Sequence, residues 1–285
     1  METNIVHYKD ARYMTEVDDQ SVTLVVTSPP YYNVKDYAKD GYQRATQSQS
    51  LPGQIGDIQS YEEYQGELLK VWKGCERVLE PNGKLCINTP LMPILKRQRN
   101  THYLRDIVDI NAGIEERILN HTNLYLMDIW IWNRSNPTKR LMFGSYPYPP
   151  NFYAQNTIEF ITVYVKDGPP KERPQHVKEA SQLTEEEWVR YTKQVWDIPI
   201  PNRSDIAYGE HPAIMPEEIA RRLIKLFSFV GDIVLDPFLG SGTTSRVAEE
   251  LGRQWIGYEI DPRFKRLIER KRQRQLSLLK SSERP

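Results

Sequence analysis

A short apolar strand, Ile233-Val234-Leu235, runs into Asp236-Pro237-Phe238-Leu239-Gly240-Ser241-Gly242-Thr243-Thr244 and then into a helix that reaches Leu251. An apolar strand that ends on an acid, crosses two glycines and enters a helix belongs to an open α/β sheet. In such sheets ligands sit at the carboxyl ends of strands, and glycine lets a ligand come close to the backbone. The next strand, 255–259, ends on Glu259, where a carboxylate can hold a ribose diol by two hydrogen bonds. The loop is not a phosphate loop, because no lysine follows Gly242, and the third glycine of GxGxxG is missing. Alone it fits many nucleotide folds, or simply a tight strand-to-helix turn.

The same alternation recurs near the N-terminus. Thr23-Leu24-Val25-Val26-Thr27 is short, apolar and β-branched, which suits a strand buried on both faces, and Ser28-Pro29-Pro30 stops it. Residues 61–79 predict a helix with Tyr64, Leu68, Val71, Cys75 and Val78 on one face. Pro81-Asn82-Gly83 predicts a turn, and 84–88 a second strand. Residues 93–119 read as helical and polar, and 124–132 and 157–165 as strands around Gly144-Ser145-Tyr146-Pro147-Tyr148-Pro149-Pro150. From 166 to 196 the chain turns polar and proline-rich, with a helix around 185–191, and this stretch is the candidate insertion. An amphipathic helix over 216–229 turns Ile219, Leu223, Leu226 and Phe227 inward, with Pro216 in its first turn. The length, 285 residues, suits one domain with a substantial insertion, the candidate recognition region lying within about 90–206.

The formal net charge is zero, so a nucleic-acid partner requires locally concentrated positive charge. Three clusters offer it: Lys96-Arg97-Gln98-Arg99, Arg134 to Arg140, and Arg263 to Arg274, each of which also reads as a solvated face. No apolar run approaches the ~18 residues of a membrane span, and the N-terminus lacks the pattern of a signal peptide. Cys75 and Cys86 read as reduced thiols, so a cytoplasmic location is expected. His7, His102, His121 and His176 show no metal-ligand spacing, and no metal is expected.

The second loop is Thr27-Ser28-Pro29-Pro30-Tyr31-Tyr32-Asn33. Two prolines fix an extended path and remove two N–H donors. The Ser28 hydroxyl and the Ser28 and Pro29 carbonyls can then accept hydrogen bonds from a planar group bearing an NH2, with a tyrosine face stacked on its ring. Taken alone, the loop fits equally a kinked strand end packed by tyrosines.

Together, Ser28-Pro29-Pro30-Tyr31 and Asp236 to Thr244 resemble the DNA amino-methyltransferases, in the permuted group where the catalytic loop precedes the cofactor loop. Tyr8-Lys9-Asp10-Ala11, Arg77-Val78-Leu79-Glu80-Pro81-Asn82-Gly83-Lys84-Leu85 and His211-Pro212-Ala213-Ile214-Met215-Pro216 are similar to further family segments in the same order. The resemblance implies a Rossmann-like, seven-stranded, mostly parallel sheet with circularly permuted motif order, and S-adenosyl-L-methionine as cofactor. It implies that Asp236, Pro237, Phe238, Gly240, Ser241, Gly242, Thr243, Thr244 and Glu259 hold the cofactor. Asp10 would lie near the adenine, His211 and Pro212 near the methionine, and Ser28 and Pro29 beside the methyl.

The implied partner is double-stranded DNA with its target base flipped out, and Ser28, Pro29, Pro30 and Tyr31 form the catalytic set. Ser28 Oγ and the Pro29 carbonyl would accept from the exocyclic amine for direct in-line transfer, while Tyr31, with Tyr32 second, stacks on the base. Serine at the first loop position leans toward N4 of cytosine, against the alternative of N6 of adenine. C5 methylation needs a cysteine nucleophile, and neither Cys75 nor Cys86 lies in a Pro-Cys loop. RNA or protein amide methylation, and a non-catalytic DNA-binding role, are the remaining alternatives. Homodimerisation and a companion restriction endonuclease are left open.

Overall fold

In the computed structural model of the chain, residues 1–32, 51–95, 105–135, 148, 154, 156–211 and 213–282 are described. Asn33, Lys96 to Arg99, His102, Pro212, 136–140 of the second basic cluster, and all of the tyrosine-proline segment but Tyr148 lie outside them.

The described strands are β1 (Ile5–His7), β2 (Val22–Thr27), β3 (Leu79–Leu95), β4 (Arg105–Asp109), β5 (Leu124–Arg134), β6 (Ile158–Lys166), β7 (Val195–Ile198), β8 (Ile233–Asp236) and β9 (Gln254–Tyr258). They form one sheet in the order β1-β9-β8-β2-β3-β6-β5-β7, with β4 paired to β3 outside this path. The sequence predicts six of them, β2, β3, β5, β6, β8 and β9, while β1, β4 and β7 carry no such prediction and bring the sheet to nine strands instead of the seven expected. β6 runs antiparallel to both its neighbours, while β1, β9, β8, β2 and β3 are mutually parallel.

The helices are α1 (Tyr61–Val78), α2 (Ile110–His121), α3 (Gln175–Ala180), α4 (Glu185–Tyr191), α5 (Glu217–Phe227), α6 (Thr243–Glu250) and α7 (Lys265–Ser282). Side chains alternate across the sheet, so each central strand feeds two apolar layers. Val25, Leu85 and Leu235 pack with Tyr64, Leu68, Val71 and Cys75 of α1 and Ile114 of α2. Leu24, Val26, Cys86 and Val234 pack on the other face with Ile219 and Leu223 of α5 and Val247 of α6. Burial on both faces explains why β2 reads as a continuous apolar run. α1 starts where Ser60 accepts a hydrogen bond from the Glu63 amide at 3.3 Å, relieving one of the unpaired donors of the first turn.

Two expectations change. Residues 93–119 are not one helix: β3 continues to Leu95, and Leu91 to Leu95 pair antiparallel with Arg105 to Asp109 before α2 begins at Ile110. Pro81-Asn82-Gly83 does not separate two elements but sits inside β3 as a bulge, the register with β2 passing from Val22↔Leu79 to Leu24↔Lys84. Asn82 takes the left-handed φ of 64° that this bulge needs.

The chain leaves β2 through α1 toward β3 on one side, and leaves β8 through α6 toward β9 on the other. The two crossovers use opposite faces of the sheet. The strand order therefore reverses between β2 and β8, and a crevice opens at their carboxyl ends, where doubly wound sheets bind ligands.

Candidate functional site

Both chemistry-bearing loops start at that crevice. Thr27, the last residue of β2, donates its hydroxyl to Asp236 Oδ1, the last residue of β8, at 2.7 Å. Asp236 also accepts from the Phe238 amide at 3.0 Å. Burial still pushes its carboxyl up to about 6, against the Thr27, Thr244 and Phe238 hydrogen bonds that favour the ionised form. Phe238 packs edge-on against Trp72 of α1, with ring centroids 6.0 Å apart.

The glycine loop then turns through left-handed backbone, φ 54° at Gly240 and 83° at Gly242, the latter being the N-cap of α6. A Cβ on Gly240 would lie 2.8 Å from His211 Nε2, which places His211 directly against the loop. The His211 ring also meets Phe264 at a centroid distance of 4.7 Å, and burial brings its imidazole down to about 4, so it is neutral at pH 7. Glu259 follows β9 and closes the loop from the other side. Its Oε2 accepts from the Gly240 amide and its Oε1 from the Asp261 amide, both at 2.8 Å. Burial, reinforced by Asp261 and Asp236, raises it to about 7, and the two amide bonds oppose this.

Asp10 caps the turn Ala11–Tyr13 by accepting from the Arg12 amide at 3.0 Å. Its carboxylate is held by the Arg12 guanidinium, which also reaches Glu67 and the Gly53 carbonyl. Burial pushes Asp10 up, but the Arg12 contacts outweigh it and hold the carboxyl below its ordinary value. A Cβ on Gly53 would lie 3.6 Å from Ile260 and 4.0 Å from Asp10 Oδ2, so Asp10 stands beside the end of β9.

On the β2 side, Ser28 Oγ donates to the Asn88 carbonyl at 3.1 Å and lies 3.3 Å from the Tyr31 hydroxyl. With its proton committed to Asn88, the Ser28 oxygen presents lone pairs, so it acts as an acceptor. Tyr64 of α1 donates to the Pro30 carbonyl at 2.9 Å and fixes the far end of the loop. Tyr32 is engaged elsewhere: its ring lies 5.3 Å from both Tyr61 and Tyr64, and its hydroxyl donates to the Gln59 carbonyl at 2.5 Å.

Sequence reasoning missed several neighbours. Asn88 donates to Glu159 at 2.7 Å, while its own Oδ1 is buried without a partner among the described residues. Glu159 is raised by burial, and Arg134, 3.6 Å away, opposes the shift. Lys271 of α7, only 2% exposed, lies beneath the glycine loop and reaches Ser241 and Thr243. Its signal was present, since Phe264, Leu267, Ile268 and Lys271 share one helical stripe. Half of the basic cluster around it is paired with carboxylates: Arg263 with Asp261, Arg270 with Glu210 and Arg272 with Glu249. Among the described residues no helix is long and apolar enough to cross a membrane.

A family model described as DNA methylase matches residues 22–270. The Type II methyltransferase M.MjaI of Methanocaldococcus jannaschii is 34% identical over 276 residues, which cover 93% of this chain and 89% of that protein. TTHA0409 of Thermus thermophilus, solved in complex with S-adenosyl-L-methionine, is 31% identical with a TM-score of 0.73, covering 95% of this chain and 93% of that one. The PvuII DNA methyltransferase (cytosine-N4-specific), 16% identical with a TM-score of 0.66 and covering 95% of this chain and 86% of that one, shares the fold. With the family model spanning most of its length, this chain belongs to the DNA methylase family.

Proposed function

We propose that this protein methylates the N4 amino group of cytosine in double-stranded DNA, with S-adenosyl-L-methionine as donor. The observation that carries the reading is the Thr27–Asp236 hydrogen bond, 2.7 Å long, which ties the Ser28 loop to the glycine loop at the reversal of strand order. One loop suits a nucleoside cofactor and the other an amine, and the crevice brings them together. The donor set fits the cofactor: two glycines at positive φ give backbone access, and Glu259 offers a carboxylate at a strand end for the ribose diol. The cofactor supplies an electrophilic methyl group.

The chain's own part is to capture and orient the amine. An exocyclic amine is a poor nucleophile because its lone pair is delocalised into the ring. Ser28 Oγ, turned into an acceptor by its bond to Asn88, and the Pro29 carbonyl take the amine hydrogens and favour a pyramidal nitrogen. Tyr31, within 3.3 Å of Ser28, stacks on the base once it leaves the duplex. Tyr32, packed against Tyr61 and Tyr64, serves the loop rather than the base. Residues of the 90–206 stretch read the surrounding sequence, and Type II relatives such as M.MjaI support a place beside a restriction endonuclease.

The test is expression in cells lacking DNA methylation, followed by nucleoside analysis by mass spectrometry. N4-methylcytosine that disappears in Ser28→Ala, while that variant still binds S-adenosylhomocysteine within about threefold, is the expected outcome. N6-methyladenine overturns the base assignment, and neither base from a folded, cofactor-binding protein overturns the DNA reading.

A further inference from the structure

Lys271 has no role in the scheme above, yet a lysine this deeply buried is costly unless something uses its charge. An ammonium has three N–H donors, and all three are matched here. Lys271 Nζ lies 3.0 Å from Thr243 Oγ1, 3.3 Å from Ser241 Oγ and 3.4 Å from Asp205 Oδ1. Burial lowers the lysine's pKa and Asp205 opposes that shift. The lysine therefore joins three separate parts of the chain: α7, the segment before His211, and the start of α6.

The direction of these bonds matters. Lysine can only donate, so both hydroxyl oxygens accept, and their protons must go elsewhere. Ser241 and Thr243 lie 3.3 Å apart, so one can donate to the other. At least one O–H is then left to point out of the cluster, with no other acceptor among the described residues. A lysine beneath two hydroxyls thus converts a loop of mixed polarity into a donor surface, backed by an ammonium whose charge Asp205 shares. The N-terminus of α6, which begins at Thr243, adds its own positive end to the same spot. An anionic group gains more from this surface than a neutral acceptor does, because its hydrogen bond is charge-assisted.

We propose that Lys271 is the positioning residue for the carboxylate of the cofactor's amino-acid tail, acting through the Ser241 and Thr243 hydroxyls. This rests on the reading of Asp236 to Thr244 as the cofactor loop. Asp205 keeps the ammonium in place and links the His211 segment to the same support.

Calorimetry on the whole chain tests it with two ligands, S-adenosylhomocysteine and 5′-methylthioadenosine, which share the nucleoside and differ in the carboxylate-bearing tail. Lys271→Met is expected to weaken S-adenosylhomocysteine by about 10- to 100-fold, the scale of a charge-assisted hydrogen bond. 5′-Methylthioadenosine should change by less than about threefold, since it lacks the anionic group. Equal losses for both ligands overturn the proposal, because the lysine then only holds the loop's shape, and so does unchanged binding of both. If Lys271→Met does not fold, the double variant Ser241→Ala, Thr243→Val carries the same comparison: a loss confined to S-adenosylhomocysteine supports the proposal, and equal or absent losses overturn it. Wild-type protein that binds neither ligand overturns the cofactor-loop reading itself, and the proposal with it.

Discussion

Thr27→Val isolates the bond that joins the two loops. Valine keeps the shape of threonine and loses only the hydroxyl, so the apolar packing of β2 is preserved. The bond is 2.7 Å long, Thr27 is fully buried, and Asp236 is 4% exposed. A hydrogen bond to a charged group is worth about 1.5–3 kcal/mol, and one between neutral groups about 1 kcal/mol. Which value applies depends on pH. In the folded chain Asp236 is raised to about 6 from its ordinary 3.8, so the native state holds a proton that the unfolded chain releases. Ionising Asp236 as pH rises through 6 thus costs the native state stability, and the Thr27 hydroxyl offsets part of that cost. Urea unfolding of wild type and variant, without cofactor, at pH 5 and pH 8 measures the difference. The expected loss is about 1 kcal/mol at pH 5, where Asp236 is mostly protonated, and about 2–3 kcal/mol at pH 8, where it is ionised. An equal loss at both values, or a larger one at pH 5, would refute the assignment of the bond to the ionised carboxylate.

Two further variants test the frame and the loop. Arg173 links Glu80 at 2.9 Å and Asp232 at 2.7 Å, all three side chains being largely buried. Arg173→Met leaves two carboxylates without their shared cation and should cost about 3–5 kcal/mol in urea unfolding; a loss below about 1 kcal/mol means that water replaces the arginine. Glu259 is raised to about 7 from 4.5, so wild-type stability should fall as pH rises through this window. Glu259→Gln removes that dependence, and the two stability profiles should diverge by on the order of 3 kcal/mol between pH 5 and pH 8. Parallel profiles show that Glu259 titrates normally.

The sheet was legible wherever a strand is buried on both faces. Leu24, Val25 and Val26 leave no polar position, and an uninterrupted apolar run of that length between turn signals has few other uses. α1 was legible for the complementary reason, since Tyr64, Leu68, Val71, Cys75 and Val78 fall on one face at helical spacing. β4 gave no such signal. Arg105-Asp106-Ile107-Val108-Asp109 is polar at both ends, and its strand character comes from pairing with Leu91 to Leu95 rather than from its own pattern. Pro81-Asn82-Gly83 carried a true turn signal, but the turn became a bulge because Leu79 already pairs with Val22 on the near side of it. Local chemistry encodes the bend there, and only the neighbouring strand decides that the sheet continues through it.

The candidate site divides along a similar line. Ser28, Asp236, Gly240, Gly242 and Glu259 each sit at a strand end or in the turn that follows, so their positions follow from element order alone. Lys271 does not, because its partners Asp205, Ser241 and Thr243 come from two other parts of the chain. In the sequence it is one of seven basic residues between 263 and 274, where a solvated face is the simplest reading. The fold commits part of that cluster: Lys271 is buried, and Arg263, Arg270 and Arg272 share their charge with carboxylates at the surface. For a chain with no net charge this bears directly on DNA binding, which needs cations left over for phosphates. Arg134 is drawn to Glu159 and the Asn156 carbonyl, so it too is committed inward. The phosphate-contacting charge is then expected from Lys96, Arg97, Arg99, Lys139 and Arg140, which belong to the stretch proposed to read the target sequence. Substituting alanine for those five should flatten the salt dependence of DNA binding, and by more than the same change at Arg263, Arg270 and Arg272, whose charges are already shared with carboxylates.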